Sequence, residues 1–288
     1  MLLNKETQKF VRMSLSEDNA YKDITSRLVI PQDKNIKVVL ISREPGIFCG
    51  MDLLRYTFSL LDKNIKFKKF VNEGCRFDKG AKIIQIEGNA RAILAAERVA
   101  INIVSRLSGI ATLTAEFVKL TEGTKAKIMD TRKTTPLLRY IERYAVRIGG
   151  GCNHRYSLSD AVLVKDNHLR AAGMMVKNKL DAVTASKIIR NMRKRTSLSI
   201  EIEVETLEEF KIFIPTAPDI IMLDNFSVAQ IKKAVEYRDK YYPKIILEAS
   251  GGINLKTVKP IAVTGIDRIS LGALTHSTRA VDFSLELI

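Results

Sequence analysis

The chain has no tryptophan and few cysteines, histidines and prolines. Each shortage excludes something. Cys49, Cys75 and Cys152 are odd in number, widely spaced and form no CxxC pair. They exclude a disulfide framework and a cysteine-based structural zinc, and they point to a reducing, cytoplasmic setting. With only His154, His168 and His276 present, a histidine-rich metal site is not expected either. No apolar run approaches the roughly 20 residues of a membrane span. The start, "MLLNKETQKF", lacks a signal peptide's long apolar centre and small-residue cleavage site. No GxGxxG follows a first strand, which weighs against an open dinucleotide-binding sheet. No Pro- or Ser-rich linker divides the chain, so any domain boundary is compact. What is present suits a packed core: 46% of the 288 residues are hydrophobic.

Positive charge is in excess, at a formal +15. Nucleic-acid binding, an anionic small substrate and a Lys-rich background all compete to explain it. The lysines are scattered, as in "LDKNIKFKKF" and "NMRKRTS", and no RNP-type or zinc-finger pattern accompanies them. A nucleic-acid partner is therefore not expected, and neither is a membrane.

Residues 1 to about 110 read as mixed α and β. "NIKVVLIS" (35–42), "IKFKKFV" and "AKIIQIEG" have strand character, and "MDLLRYTFSLL" reads as a helix. From Asn89 to about Leu120 the pattern is helical, with a break expected at "SGIAT". The second half repeats one device. Six apolar runs each end on polar or charged residues: "AKIMDTRK", "AVLVKDNH", "SIEIEVE", "DIIMLDN", "KIILEASGG" and "DRISLGA". Helical stretches separate most of them, including "VAQIKKAVEYRDKYY" and "PLLRYIERYAVRI", the latter with Leu137, Leu138, Ile141, Ala145 and Ile148 at helical spacing. Alternating β and α with buried-type strands implies a parallel sheet. Chemistry at strand after strand favours a β/α barrel, whose active site lies at the strands' C-terminal ends.

The strand ends form a sequence of charges. Asp130, Arg132 and Lys133 close the first, with Thr134 or Thr135 placed to cap a helix before Pro136. Arg139, Arg143 and Arg147 recur every fourth residue and read as a solvated helix face. "GGGCNHRYSLSD" stops that helix and brings in His154 and Arg155. Lys165 ends the next strand, where a lysine is costly unless paired or working. A desolvated lysine forming a Schiff base explains one of these cations. A polyanionic ligand explains all of them. The sign then reverses. Strand alternation puts Glu201, Glu203 and Glu205 on one face, with one of the three expected to reach the site, and Asp224 ends the following strand. Such carboxylates suit ribose hydroxyls or Mg²⁺ held through water. "EASGGI" and "SLGAL" supply small residues whose backbone N–H groups suit a phosphate. The physical reading is transfer involving a phosphosugar.

"DTRKTTP", "YAVRIGGGCNHRYSLSDAVLVKDNHL", "IEVE", "IMLDN", "LEASGGI" and "ISLGALTHS" resemble, in order, the signature of the quinolinate phosphoribosyltransferases, and "SEDNAYKDITSRLV" and "AERVAINIVSRLSGIAT" extend the likeness over nearly the whole chain. The resemblance implies an α/β fold of the type II phosphoribosyltransferases: an N-terminal α/β sandwich-like domain (1–110) and an incomplete (β/α) barrel (111–274), with the tail 275–288 packing back on the first. It implies conversion of quinolinate and phosphoribosyl pyrophosphate, with Mg²⁺ as cofactor, to nicotinate mononucleotide, pyrophosphate and CO₂ in de novo NAD synthesis. Thr131, Arg132, Lys133, His154, Arg155 and Lys165 would line the quinolinate pocket. Arg98 would reach in from the partner subunit of a homodimer or a dimer-based hexamer. Glu203 and Asp224 would face ribose and metal, the metal through water, and with Lys165 they are the expected catalytic residues. Ser250, Gly251, Gly252, Leu271, Gly272 and Ala273 would hold phosphate.

Two residues depart from the family pattern: Leu137 and Lys22 stand where glycine is expected. Segment 171–183 is longer than usual, as either a lid extension or a surface insertion. Two rival functions share these residues: a molybdenum-transport-associated paralogue of the same fold, and a Schiff-base lyase using Lys165.

Overall fold

A computed structural model describes residues 2–173 and 182–288. The long segment 171–183 falls mostly outside them. The chain packs as two compact units, Met1–Ala115 with Thr134–Gly150 and Leu274–Ile288, and Glu116–Lys133 with Gly151–Ala273.

The first unit contains α1 (Lys5–Glu17), α2 (Ile24–Val29), β1 (Asn35–Ser42), β2 (Gly46–Ile47), α3 (Met51–Leu61), β3 (Lys66–Lys69), β4 (Arg76–Phe77), β5 (Lys82–Asn89) and most of α4 (Ala90–Leu120). Its main sheet is antiparallel, in the order β12-β1-β5-β3, where β12 (Phe283–Leu287) is the C-terminal strand paired with β1. Val38 and Leu40 of β1 and Ile84 and Ile86 of β5 pack with Leu54 and Phe58 of α3 and with Ile93, Ala96 and Val104 of α4 in one buried cluster. Alternating apolar positions along the strands and helical spacing along α3 and α4 produce this core. Gly50 precedes α3 at φ +113° and brings no side chain to cap it. The Glu73 carboxylate does so from a distance, accepting from the N–H groups of Gly50 and Met51 at 2.8 and 3.0 Å.

Helix α4 runs unbroken through "SGIAT", where a break was expected. Gly109 is there for clearance: a Cβ at this position would collide with the Arg279 carbonyl oxygen. The packing division also differs from a boundary near residue 110. The helix α5 (Arg139–Ile148) belongs with the first unit, because Gly149 sits against Ala111 and Thr114 too closely for any Cβ, and Glu142 binds Arg106.

Three expectations about α5 are corrected. Leu137 is not helical; it has φ +67° and is 92% exposed, so the helix begins at Arg139. A leucine in left-handed backbone is strained by roughly 1–2 kcal/mol, which is why glycine suits this position. Neither threonine caps the helix. Thr135 instead gives its N–H and Oγ1–H to the buried Glu142 carboxylate at 3.0 and 2.8 Å. The arginine series is only partly a solvated face: Arg147 is exposed, but Arg143 is buried and Arg139 Nε donates to Thr134 Oγ1 at 3.1 Å.

The second unit holds β6 (Lys127–Met129), β7 (Val162–Val164), α6 (Asp166–Ala171), α7 (Ala182–Arg195), β8 (Ile200–Val204), α8 (Leu207–Phe213), β9 (Ile220–Asp224), α9 (Val228–Tyr241), β10 (Ile246–Ser250), α10 (Val258–Ala262) and β11 (Arg268–Ser270); a last short helix, α11, spans Ala273–His276. The six apolar runs are the six strands of one sheet, ordered β6-β11-β10-β9-β8-β7, with every pairing parallel. β6 and β7 lie at opposite edges, so the barrel is incomplete. Only an isolated bridge, Met129 to Cys152, extends the β6 edge. Ile200, Ile202 and Val204 alternate with Glu201 and Glu203 along β8, and both sets are largely withdrawn from solvent.

Candidate active site

Four features of the second unit bring chemistry to the strand ends. The first is the turn after β6. Asp130 is fully buried, and its carboxylate accepts from the His154 N–H at 2.8 Å and from Asn153 Nδ2 at 2.5 Å. This ties the glycine-rich stretch to the end of β6. Thr131 Oγ1 accepts from the Lys133 N–H at 3.1 Å, holding a tight turn that carries Arg132, half-buried, and Lys133, exposed. Arg155 is half-buried, with Nη1 donating to the Ala161 carbonyl at 2.9 Å. Burial and the nearby positive charge of Arg132 both lower its pKa. Two guanidinium groups held close enough to disfavour each other's charge are ready for an anion.

The second feature is Lys165, at the start of α6. Its ammonium forms an ion pair with Glu203 on β8, and the side chains are 43% and 10% exposed. The Lys165 N–H donates to His168 Nδ1 at 2.9 Å, which steadies the turn.

The third is an acidic edge. Asp224 ends β9 and accepts from Asn225 Nδ2 at 2.8 Å. Glu205 lies just past β8, exposed, and desolvation together with the charges of Asp166, Glu209 and Asp224 raises its pKa. Asn225 takes left-handed backbone at φ +57° and donates its N–H to the Ser250 carbonyl at 2.9 Å. Gly251, at φ +91°, sits where any Cβ would overlap the Asn225 side chain, while Gly252, at φ +61°, faces open space. Ser250 pairs in register with Asp224, so the "LDN" and "ASGG" turns form one ridge. One expectation about phosphate is corrected here. Leu271 is buried and its N–H already donates to the Met129 carbonyl at 3.0 Å, so it is not available to a ligand. Gly272 and Ala273 follow it.

The fourth feature was not anticipated from the sequence. His154 turns its ring inward, with Nε2 at 3.1 Å from Glu201 Oε2 and 3.4 Å from Glu248 Oε1, all three side chains under 10% exposed. Arg268, next to Glu248 in register on β11, approaches its other oxygen at 4.0 Å. Nδ1 accepts from the Arg155 N–H at 2.8 Å. Burial disfavours a charged ring, while Glu201 and Glu248 favour a proton facing them. Nδ1 keeps its lone pair for the Arg155 N–H, so the ring's one proton is on Nε2. The three groups are the only ones among the described residues with metal-ligand spacing. With its proton on Nε2, the ring meets the two carboxylates as a compact charged and polar contact. Of the glutamates on one face of β8, Glu201 is thus inside the cluster, Glu203 pairs with Lys165 and Glu205 is past the strand. The signal for Glu248 was available: a carboxylate between Leu247 and Ala249 in an apolar run is costly unless it has partners.

Arg98 lies in the first unit, exposed on α4, and lines a cavity of about 490 Å³ with Phe10, Asp18, Asn102 and Arg106. Among the described residues no helix is long and apolar enough to cross a membrane.

Comparison with known proteins agrees with this fold. The family model of the quinolinate phosphoribosyl transferase C-terminal domain matches residues 110–286, and that of the N-terminal domain matches residues 23–108. The nicotinate-nucleotide pyrophosphorylase [carboxylating] of Mycobacterium leprae is 40% identical over 282 residues, covering 96% of this chain and 95% of the relative. The probable enzyme of the same name from Bacillus subtilis is 38% identical, covering 98% and 93%. Among solved structures, the nicotinate-nucleotide pyrophosphorylase of Francisella tularensis superposes with a TM-score of 0.87 at 39% identity, covering 99% of this chain and 97% of that one. That of Ehrlichia chaffeensis gives 0.90 at 33% identity over the full length of both. The chain belongs to the quinolinate phosphoribosyltransferase family.

Proposed function

We propose that this chain transfers phosphoribose from phosphoribosyl pyrophosphate to the ring nitrogen of quinolinate, releasing pyrophosphate and CO₂ and leaving nicotinate mononucleotide for NAD synthesis. One observation carries the reading: cations (Arg132, Lys133 and Lys165) and carboxylates (Glu203 and Asp224) share the strand ends of one parallel barrel, with Arg155 brought beside Arg132. Adjacent carboxylates on a flat ring need several cations, and guanidinium groups match their geometry. The ring nitrogen attacks C1 of the ribose as the bond to pyrophosphate breaks. The resulting pyridinium withdraws electrons, so the neighbouring carboxylate leaves as CO₂ and the ring carbon takes up a proton. The protein's part is orientation and charge stabilisation, without a covalent intermediate. Lys165 supports this rather than a Schiff base: a half-exposed ammonium paired with a carboxylate lacks the desolvation that makes lysine a nucleophile.

Glu203 and Asp224 fit Mg²⁺ by donor type, since both offer hard carboxylate oxygens. Neither belongs to a set of three protein ligands within chelating distance among the described residues, which suits a metal held through water and substrate oxygens. When bound there, Mg²⁺ would neutralise charge on the departing pyrophosphate. Gly251 and Gly252, with Ser250, Gly272 and Ala273, offer the small-residue turns for a phosphate. The family resemblance supports a cytoplasmic homodimer or a dimer-based hexamer in which the exposed Arg98 serves the partner's site.

The test is incubation of purified protein with quinolinate, phosphoribosyl pyrophosphate and Mg²⁺, with nicotinate in a parallel reaction. Nicotinate mononucleotide from quinolinate alone is the expected result. Quinolinate binding without turnover would favour the molybdenum-transport-associated paralogue, and turnover of nicotinate alone would reject the dicarboxylate pocket.

A further inference from the structure

The stretch between α5 and β7 has to present Arg155 without a strand to hold it. Among the described residues its one backbone bridge to the sheet is Met129–Cys152, and Asp130 holds Asn153 and the His154 N–H. Residues 156–160 satisfy one another, with the Asp160 carboxylate accepting from the N–H groups of Tyr156 and Ser157 at 2.8 and 3.0 Å. Arg155 also stands near Arg132, whose like charge favours their separation. Something rigid has to oppose that.

Glu201 and Glu248 are rigid. They project from β8 and β10, on either side of β9, and are 2% and 0% exposed. Between them they hold His154 Nε2, and the opposite nitrogen of the same ring receives the Arg155 N–H. His154 is therefore a strut between a buried carboxylate pair and the backbone of Arg155. Glu201 Oε1 and both Glu248 oxygens are buried with no well-formed hydrogen bond, so Glu248 meets His154 Nε2 as a close charge contact at 3.4 Å. The contact with Arg268 at 4.0 Å is a long one.

We propose that Glu201 and Glu248 are positioning residues for the dicarboxylate substrate: they fix the His154 ring, and the ring fixes the direction in which Arg155 offers its guanidinium. The inference rests on the reading of Arg155 as part of the quinolinate pocket. It assigns His154 a supporting role behind the pocket. It also explains a carboxylate pair in a barrel interior, which is otherwise a cost to the fold.

The test is a double-mutant cycle on quinolinate affinity, measured by calorimetry, with steady-state constants for both substrates. Glu248→Gln keeps the side-chain shape and removes the charge. Loss of the charge that faces the ring should weaken quinolinate binding about ten-fold, while the KM for phosphoribosyl pyrophosphate stays within about two-fold. In an Arg155→Ala background the same change should add less than about two-fold, because the group it positions is gone. Glu201→Gln should behave alike, and thermal melting of each variant checks that it is folded. Full additivity with Arg155→Ala, or equal weakening of both substrates, would overturn the inference and leave a purely structural cluster. Should the unmodified protein bind no quinolinate, the proposed function itself fails.

Discussion

Removing a carboxylate expected to work in catalysis should make one substrate bind more tightly. The Lys165 ammonium is engaged by Glu203. Quinolinate has to draw Lys165 out of that pair before the lysine can serve a carboxylate of the ring. Glu203→Gln removes the competitor and leaves the lysine free. The size of the effect follows from exposure. With the side chains 43% and 10% exposed, the pair lies between a surface ion pair and a buried one. Its worth is near the top of the surface range, about 1 kcal/mol, which corresponds to about five-fold in affinity. Calorimetric titration of Glu203→Gln with quinolinate, in the absence of phosphoribosyl pyrophosphate and Mg²⁺, should therefore give a Kd about five-fold below that of the unmodified protein. Turnover should fall steeply in the same variant. Because the pair is partly exposed, the difference should shrink as salt is added. Weaker quinolinate binding in the variant, or unchanged binding at low salt, would refute the reasoning. Either result would mean that Lys165 does not exchange Glu203 for the substrate.

Three further outcomes are expected. An Arg98→Ala protein and a Lys165→Ala protein, each inactive alone, should recover activity when mixed and allowed to exchange subunits, and failure to complement would count against a shared site. Glu142→Gln should cost about 3 kcal/mol in chemical denaturation, because this fully buried carboxylate accepts from Arg106 at 2.8 and 3.2 Å and twice from Thr135; a loss under about 1 kcal/mol would show that the network is dispensable. Asp267 should stabilise the fold in a pH-dependent way. Burial raises its pKa, but the Leu247 N–H at 2.8 Å, Arg238 and Lys125 at 2.9 Å outweigh burial and lower it. A carboxyl whose pKa is lower folded than unfolded contributes stability above the unfolded pKa of roughly 3.9 and loses it as pH falls through the folded value. Asp267→Asn should then be less stable than the parent at neutral pH, with the gap closing below about pH 4, and a gap that persists in acid would reject the assignment.

What the sequence determined by itself was the periodic part. Six apolar runs became six parallel strands because short β-rich segments separated by helical ones have few other ways to bury both faces. Their polar ends gathered because parallel strands share a direction, so every C-terminal end falls at one edge of the sheet. Strand alternation likewise set Glu201 and Glu203 on a common face.

Tertiary structure decided what depends on partners far along the chain. His154 reads as one more cation beside Arg155, and only the carboxylates brought near each other by β8 and β10, on either side of β9, turn its ring inward. Arg143 has the spacing of a solvated face and is buried. Leu271 was placed with the phosphate loop by its neighbours, yet its N–H is taken by Met129 across the sheet. Gly109 looked like a helix break until Arg279, near the other end of the chain, came to rest against it. Spacing along a chain reports which face a residue occupies. Burial, charge pairing and hydrogen-bond demand belong to whatever else that face meets, and that is settled only when distant segments pack.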